Sequence, residues 1–228
     1  FPILYKKAQG KYIALCEGDD YWTDPLKLQK QVDLLEKHKQ ASMCVALNQH
    51  FYPDENKYIE DKVYYGKNKL FVYLEDLPKH YFHTSTYLIR KSSLDFVLKN
   101  HVHLIMGDTA LRYLLISQGP FIVLNDYVSV YRISGQGVWT KLNYCNQKFL
   151  KYKFHHTFRM KFIEEQKKIH LNTEIQQLKI LMGCYHKKQL KKYVFTIKYF
   201  WLLLRFYPKK FKIELKKQLK EIINLIRD

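Results

Sequence analysis

The chain changes character near residue 145, and that break limits what it can fold into. Seven of its eight glycines and five of its six prolines come earlier, so turns are frequent before the break and rare after it. Charge divides at the same place. Residues 1–144 carry 18 Lys and Arg against 15 Asp and Glu, whereas residues 145–228 carry 21 against 6. The sequence therefore reads as a domain over 1–144 and a basic, aromatic helical region over 145–228. A partner inferred from charge belongs to the second part.

The 228 residues suffice for a sizeable core, and an apolar fraction of 47% with 16% aromatics excludes intrinsic disorder. Cys16, Cys44, Cys145 and Cys184 are far apart, with no C-x-x-C pair. That spacing argues against a disulfide scaffold or zinc ribbon and fits a reducing, cytoplasmic compartment. The most apolar run, Tyr199 to Leu204, ends at Arg205, far short of the ~20 residues of a membrane span. Phe1-Pro-Ile-Leu-Tyr-Lys-Lys lacks an initiating Met and is too short in apolar residues for a signal peptide, so we expect a piece of a longer protein.

Strands and helices alternate in the first part. Tyr12 to Cys16 reads as a buried strand, and Thr23-Asp24-Pro25 starts a helix that buries Leu28, Val32 and Leu35 and runs through His38. Met43 to Phe51 reads as a strand, and 52–77 as a polar loop with one short element. Tyr81 to Arg90 follows as a strand and Ser92 to Asn100 as a short helix. Gly107 to Gln118 is helical, closed by Gly119 and Pro120, and Phe121 to Ile133 is strand-like. This alternation indicates an α/β fold. Beyond Asn146 the spacing of Phe154, Phe158 and Phe162, and of Leu215, Leu219, Ile222 and Ile226, predicts helices with a break near Pro208.

The chemistry concentrates in Glu17-Gly-Asp-Asp20, three carboxylates in four residues at a strand end. Such a cluster repels itself unless a cation sits among its members, and it suits Mg²⁺ or Mn²⁺ shared with substrate phosphates. It also suits a solvated loop that caps the following helix. No ligand series of the EF-hand type follows it. His101 and His103 alternate near Asp108, a pattern more often incidental than metal-binding.

The stretch Gly10-Lys-Tyr-Ile-Ala-Leu-Cys-Glu-Gly-Asp-Asp-Tyr-Trp-Thr-Asp-Pro-Leu-Lys-Leu-Gln-Lys-Gln31 resembles the acidic-motif segment of family-two glycosyltransferases. The likeness continues through His83 to Arg90, Gly107-Asp108, and Tyr131-Arg132 to Trp139, covering roughly residues 5–142. It implies a partial GT-A (Rossmann-like) domain and a metal-dependent, inverting sugar transfer from a nucleotide sugar to a hydroxyl acceptor, in cell-surface polysaccharide or glycolipid synthesis. By the same resemblance, Asp19 and Asp20 are the expected metal ligands. Glu17, Asp19, Arg132 and Trp139 meet the donor, while His83, Thr84 and Trp22 line the acceptor side. Asp108 matches the catalytic base. An ordinary helix N-cap is the alternative for Asp108, a buried hydrogen-bonded strand for His83 and Thr84, and a core ion pair for Arg132. Many relatives have His where Ser134 stands. The family's front strands are missing, which implies weak sugar-nucleotide binding by this chain alone.

The basic aromatic region admits three readings: helices on an anionic membrane surface at the inner face, helices packed on the domain with solvated lysines, or a nucleic-acid contact. The membrane surface is the favoured partner and nucleic acid the least favoured.

Overall fold

The computed structural model describes residues 5, 7–60, 69–99, 107–134, 137, 139–161, 164–184 and 190–216. His101, His103, Gly135, Gln136, Phe162, Leu219, Ile222 and Ile226 lie outside the described residues. The chain forms two compact units, Phe1–Lys141 and Leu142–Asp228.

The first unit is a mixed α/β fold around one sheet. Among the described residues its strands are β1 (Tyr12–Ala14), β2 (Tyr21–Trp22), β3 (Met43–Tyr52), β4 (Lys57–Glu60), β5 (Phe71–Val72), β6 (Leu88–Arg90) and β7 (Phe121–Arg132). The order is β1-β6-β3-β7-β2, with β4 on β3 and β5 on β7. β3 and β7 run parallel, and the other pairs are antiparallel. Met43 to Ala46 and Phe121 to Val123 are almost fully buried, as central strands require. Register slips between Ala46 and Asn48, where Leu47 faces Tyr127 and Asn48 faces Ser129. That irregularity bends β7 so that its second half pairs with the two-residue β2 (Tyr21 with Val130, Trp22 with Ser129).

Helix α1 (Lys27–Lys37) starts one turn after Asp24, whose Oδ1 accepts the Leu26 N–H at 2.8 Å. Its buried face differs from the expected one. Lys27, Gln31 and Leu35 are buried, while Leu28 is 40% exposed. Two polar residues can be buried because each finds a partner. Lys27 Nζ donates to Gln31 Oε1 at 2.8 Å, and Gln31 Nε2 donates to the Thr86 carbonyl at 2.7 Å. Arg90 closes the other end of α1 by donating to the carbonyls of Leu35, His38 and Ala41, which satisfies acceptors a helix end leaves open.

The expected strand over Tyr81 to Arg90 is a strand only at Leu88–Arg90. Upstream lies a 3₁₀ turn, Thr84–Thr86. Thr86 Oγ1 donates to the His83 carbonyl at 2.7 Å, a local bond that competes with a sheet ladder. Helices α2 (Lys91–Lys99) and α3 (Gly107–Ile116) follow. Gly119 ends the turn after α3 with φ +145°, and a Cβ there would lie 2.1 Å from the Gln40 carbonyl oxygen.

The second unit is helical: α4 (Tyr144–Lys161), α5 (Glu164–Cys184), α6 (Leu190–Phe206) and a continuation over 208–216. Its core joins Tyr152, Leu171, Ile175, Leu178, Leu181, Tyr199, Leu202 and Leu203. Phe154 and Phe158 are buried at the helical spacing expected of them. Glu174, with no exposed side-chain surface, accepts from Arg159 at 2.7 Å and pairs with His156 at 2.9 Å. No helix among the described residues is long and apolar enough to cross a membrane.

Candidate functional site

Three parts of the first unit meet beyond the end of β1: the loop 15–20, the turn at His83–Thr86 and the last residues of β7. The loop is tightened by the Asp20 N–H, which donates to the Glu17 carbonyl at 3.1 Å. Thr84 Oγ1 then donates to the Glu17 carboxylate, 2.6 and 2.7 Å from its two oxygens. Asp20 Oδ1 accepts the backbone N–H of Arg132 at 3.1 Å, and Asp20 Oδ2 lies 3.5 Å from His83 Nδ1. One ligand atom from each of Glu17, Asp20 and His83 falls within 4.8 Å of the others. Asp19 is exposed and outside that trio.

β7 and the turn fix the imidazole. His83 stacks on Tyr131 with ring centroids 4.2 Å apart, and its Nδ1 lies 2.8 Å from Ser85 Oγ. Ser85 Oγ donates in turn to Ser129 Oγ at 3.0 Å. Trp22 donates its indole N–H to the Ser85 carbonyl at 3.0 Å and carries the Lys27 ammonium over its ring at 4.5 Å. Lys27 thus supports the site from beneath. Its burial lowers its pKa to about 8.

The electrostatics mark a crowded anionic point. Burial raises the Asp20 pKa to about 6 against the opposing Arg132 hydrogen bond, and the charges of Glu17 and Asp19 add to the rise. Tyr131 feels the charges of Asp20, Asp19 and Glu17, which reinforce the upward push of burial on its hydroxyl. Tyr81 is raised in the same way, by burial first and then by Asp108, with Glu17 also contributing. Glu17 thus acts on both Tyr81 and Tyr131, and Asp108 on Tyr81.

Asp108 is half-buried in the first turn of α3, where Thr109 Oγ1 approaches it at 3.5 Å. One turn on, buried Arg112 holds its guanidinium 4.9 Å from the Tyr81 ring and donates to the His80 carbonyl at 3.0 Å. Arg132 projects from the rim, 5.7 Å over the Tyr21 ring. Trp139 sits part-buried in a turn that Gly137 closes by accepting from Thr140 and Lys141.

Sequence reasoning gave Tyr81, Tyr131 and Arg112 no role, and it placed His83 with the acceptor rather than with the carboxylates. Only the aromatic spacing of Tyr81, His83 and Tyr131 hinted at this wall. The contacts that build it cross about 50 residues of chain.

Two comparisons bear on this arrangement. Residues 4–98 match the family described as Glycosyl transferase family 2, a stretch that contains Glu17, Asp19, Asp20, His83 and Thr84 and stops before Asp108. Uncharacterized proteins of Mycobacterium tuberculosis and Mycobacterium bovis are 31% identical to this chain over 156 residues, which is 68% of this chain and 44% of each relative. The chain thus spans under half the length of these curated relatives. The acidic strand tip thus lies inside the stretch, residues 4–98 of a mixed α/β fold, that matches glycosyl transferase family 2.

Proposed function

We propose that the first unit serves an inverting, metal-dependent transfer of a sugar from a nucleotide-sugar donor to a hydroxyl of a saccharide or lipid-linked acceptor, in cell-surface polysaccharide or glycolipid synthesis. The observation that carries this reading is the convergence of ligand atoms from Glu17, Asp20 and His83 within 4.8 Å of one another. Two carboxylates and an imidazole suit Mn²⁺, and Mg²⁺ less well, so the residues present fit such an ion. When bound, the ion would neutralise charge on the departing nucleoside diphosphate.

The chain's own groups divide the remaining work. Glu17, Asp20 and His83 would hold the cation, and Thr84 and the Arg132 N–H orient the two carboxylates. Exposed Asp19 faces the donor, and the exposed Arg132 side chain reaches for its phosphates. Trp22, 38% exposed with its N–H committed to Ser85, offers ring surface on the acceptor side, and Trp139 offers a face to a sugar. Asp108 takes the proton of the acceptor hydroxyl as that oxygen bonds to the anomeric carbon and the anomeric C–O bond to diphosphate breaks. One displacement needs one base, and no covalent sugar–enzyme intermediate forms.

Mn²⁺ alone is the first probe, because it reports on Glu17, Asp20 and His83 without any donor or acceptor. Electron paramagnetic resonance should show one bound Mn²⁺ per chain, weakened at least about tenfold by Asp20→Asn or Glu17→Gln. Unchanged Mn²⁺ binding in both variants would defeat the reading. Asp108→Asn should abolish nucleoside diphosphate release from donor and acceptor while leaving Mn²⁺ binding intact.

A further inference from the structure

Helix α6 has two opposite apolar faces, and only one is used. Tyr199, Leu202 and Leu203 are buried in the core of the helical unit. Across the helix, Ile197 is 69% exposed, Trp201 50% and Leu204 54%. At 100° per residue these three fall within an arc of about 60°, a continuous stripe about 10 Å long. Single exposed apolar residues are ordinary, but a lengthwise stripe backed by a second, buried one is not.

The surroundings of the stripe are cationic. Arg205 lies over the rings of Trp201 and Phe206, at 5.2 and 5.5 Å. In the continuation over 208–216, Lys209, Lys212 and Lys216 share one exposed face with Ile213, which is 68% exposed. The acid in this continuation, Glu214, is turned to Lys179 at 2.9 Å. Among the described residues, these two exposed faces pair aliphatic and indole surface with cations and no carboxylate.

We propose that these two exposed faces, Ile197, Trp201 and Leu204 with Arg205 on α6 and Ile213 with Lys209, Lys212 and Lys216 after it, dock the helical unit on an anionic lipid bilayer. The apolar side chains enter the headgroup boundary, the indole sits at that level, and the cations meet lipid phosphates. Charge complementarity selects this partner, because residues 145–228 carry 21 cations against 6 anions. A nucleic acid would satisfy the cations and leave Ile197, Leu204 and Ile213 in water. The inference does not depend on the proposed sugar transfer, and its test reads no activity.

The test is sedimentation of the full chain with vesicles of phosphatidylcholine alone and of phosphatidylcholine with phosphatidylglycerol. Binding should be roughly tenfold or more tighter on the anionic vesicles and should weaken with salt. Combined Ile197→Ser, Trp201→Ser and Leu204→Ser should reduce it by at least about tenfold with an unchanged circular dichroism spectrum. Trp emission should shift to the blue with anionic vesicles, and Trp201→Phe should remove the shift. Equal binding to both vesicle types, or undiminished binding by the triple variant, overturns the proposal. So does the same emission shift on adding single-stranded RNA without lipid, or on self-association of the chain alone.

Discussion

His83 Nδ1 and Asp20 Oδ2 stand 3.5 Å apart, with side chains only 7% and 1% exposed. Burial raises the Asp20 pKa to about 6, which puts its ionisation near neutrality. Because that value is raised above the ordinary 3.8, Asp20 disfavours its ionised form in the fold. The resulting loss of stability sets in as pH rises from 3.8 through 6. Cation binding needs the ionised form. Mn²⁺ affinity should therefore fall as the pH drops from 7.5 to 5, and Asp20→Asn should flatten the profile, as Mn²⁺ resonance can follow.

Lys27 offers a cleaner titration. Its ammonium is 1% exposed and its pKa is lowered from 10.5 to about 8 by burial, a penalty of about 3 kcal/mol on the charged form. The penalty is complete below pH 8 and is relieved as the pH rises from 8 towards 10.5, where only the unfolded chain keeps the proton. Urea denaturation should show wild type gaining on Lys27→Met between pH 7 and 9.5. A constant difference would mean that the amine stays charged in the fold.

How much of this was legible in the sequence depends on the range of the forces involved. The Asp24-Pro25 start of α1, the buried strands Met43–Tyr52 and Phe121–Arg132, and the Phe154/Phe158 spacing are local signals, and the fold follows them. The buried face of α1 was not legible, because burying Lys27 and Gln31 depends on Trp22 and on the Thr86 carbonyl. Nor was the turn at Thr84–Thr86, since hydroxyls that bond their own backbone leave no periodicity behind. Within the site, the acidic loop announced itself by charge. His83 beside Asp20, and Tyr81 beside Arg112, are products of tertiary contact.

In the helical unit, the Glu174 carboxylate is wholly buried between Arg159 and His156. Glu174→Ala would strand the Arg159 charge, with an expected loss of about 3 kcal/mol in urea denaturation. Restoring an acceptor with Glu174→Gln should recover part of that loss.

His170 adds a pH dependence to the same unit. Burial lowers its pKa to about 4, so the folded imidazole resists protonation, and stability present above pH 6.5 is lost as the pH falls towards 4. About 2 kcal/mol should disappear between pH 7 and 5. Hydrogen exchange of the α4 and α5 amides should report it, and His170→Gln should reduce the slope.

Gly119 tests the packing of the first unit. Its φ of +145° and the 2.1 Å that would separate a Cβ from the Gln40 oxygen leave no room for alanine. Gly119→Ala should cost roughly 3 kcal/mol, read as a lowered urea midpoint. An unchanged midpoint would show that the chain can relax around residue 40.

β7 serves two masters. Its first residues fill the centre of the sheet, and its last present Ser129 and Tyr131 to Ser85 and His83 and the Arg132 amide to the acidic loop. Side chains alternate along a strand, so deleting one residue after Asp126 would invert the inner wall, sending Ser129 and Tyr131 outward and bringing their neighbours in. Length in this strand is therefore as strictly constrained as identity, and natural variation should accumulate as substitutions here and as insertions elsewhere.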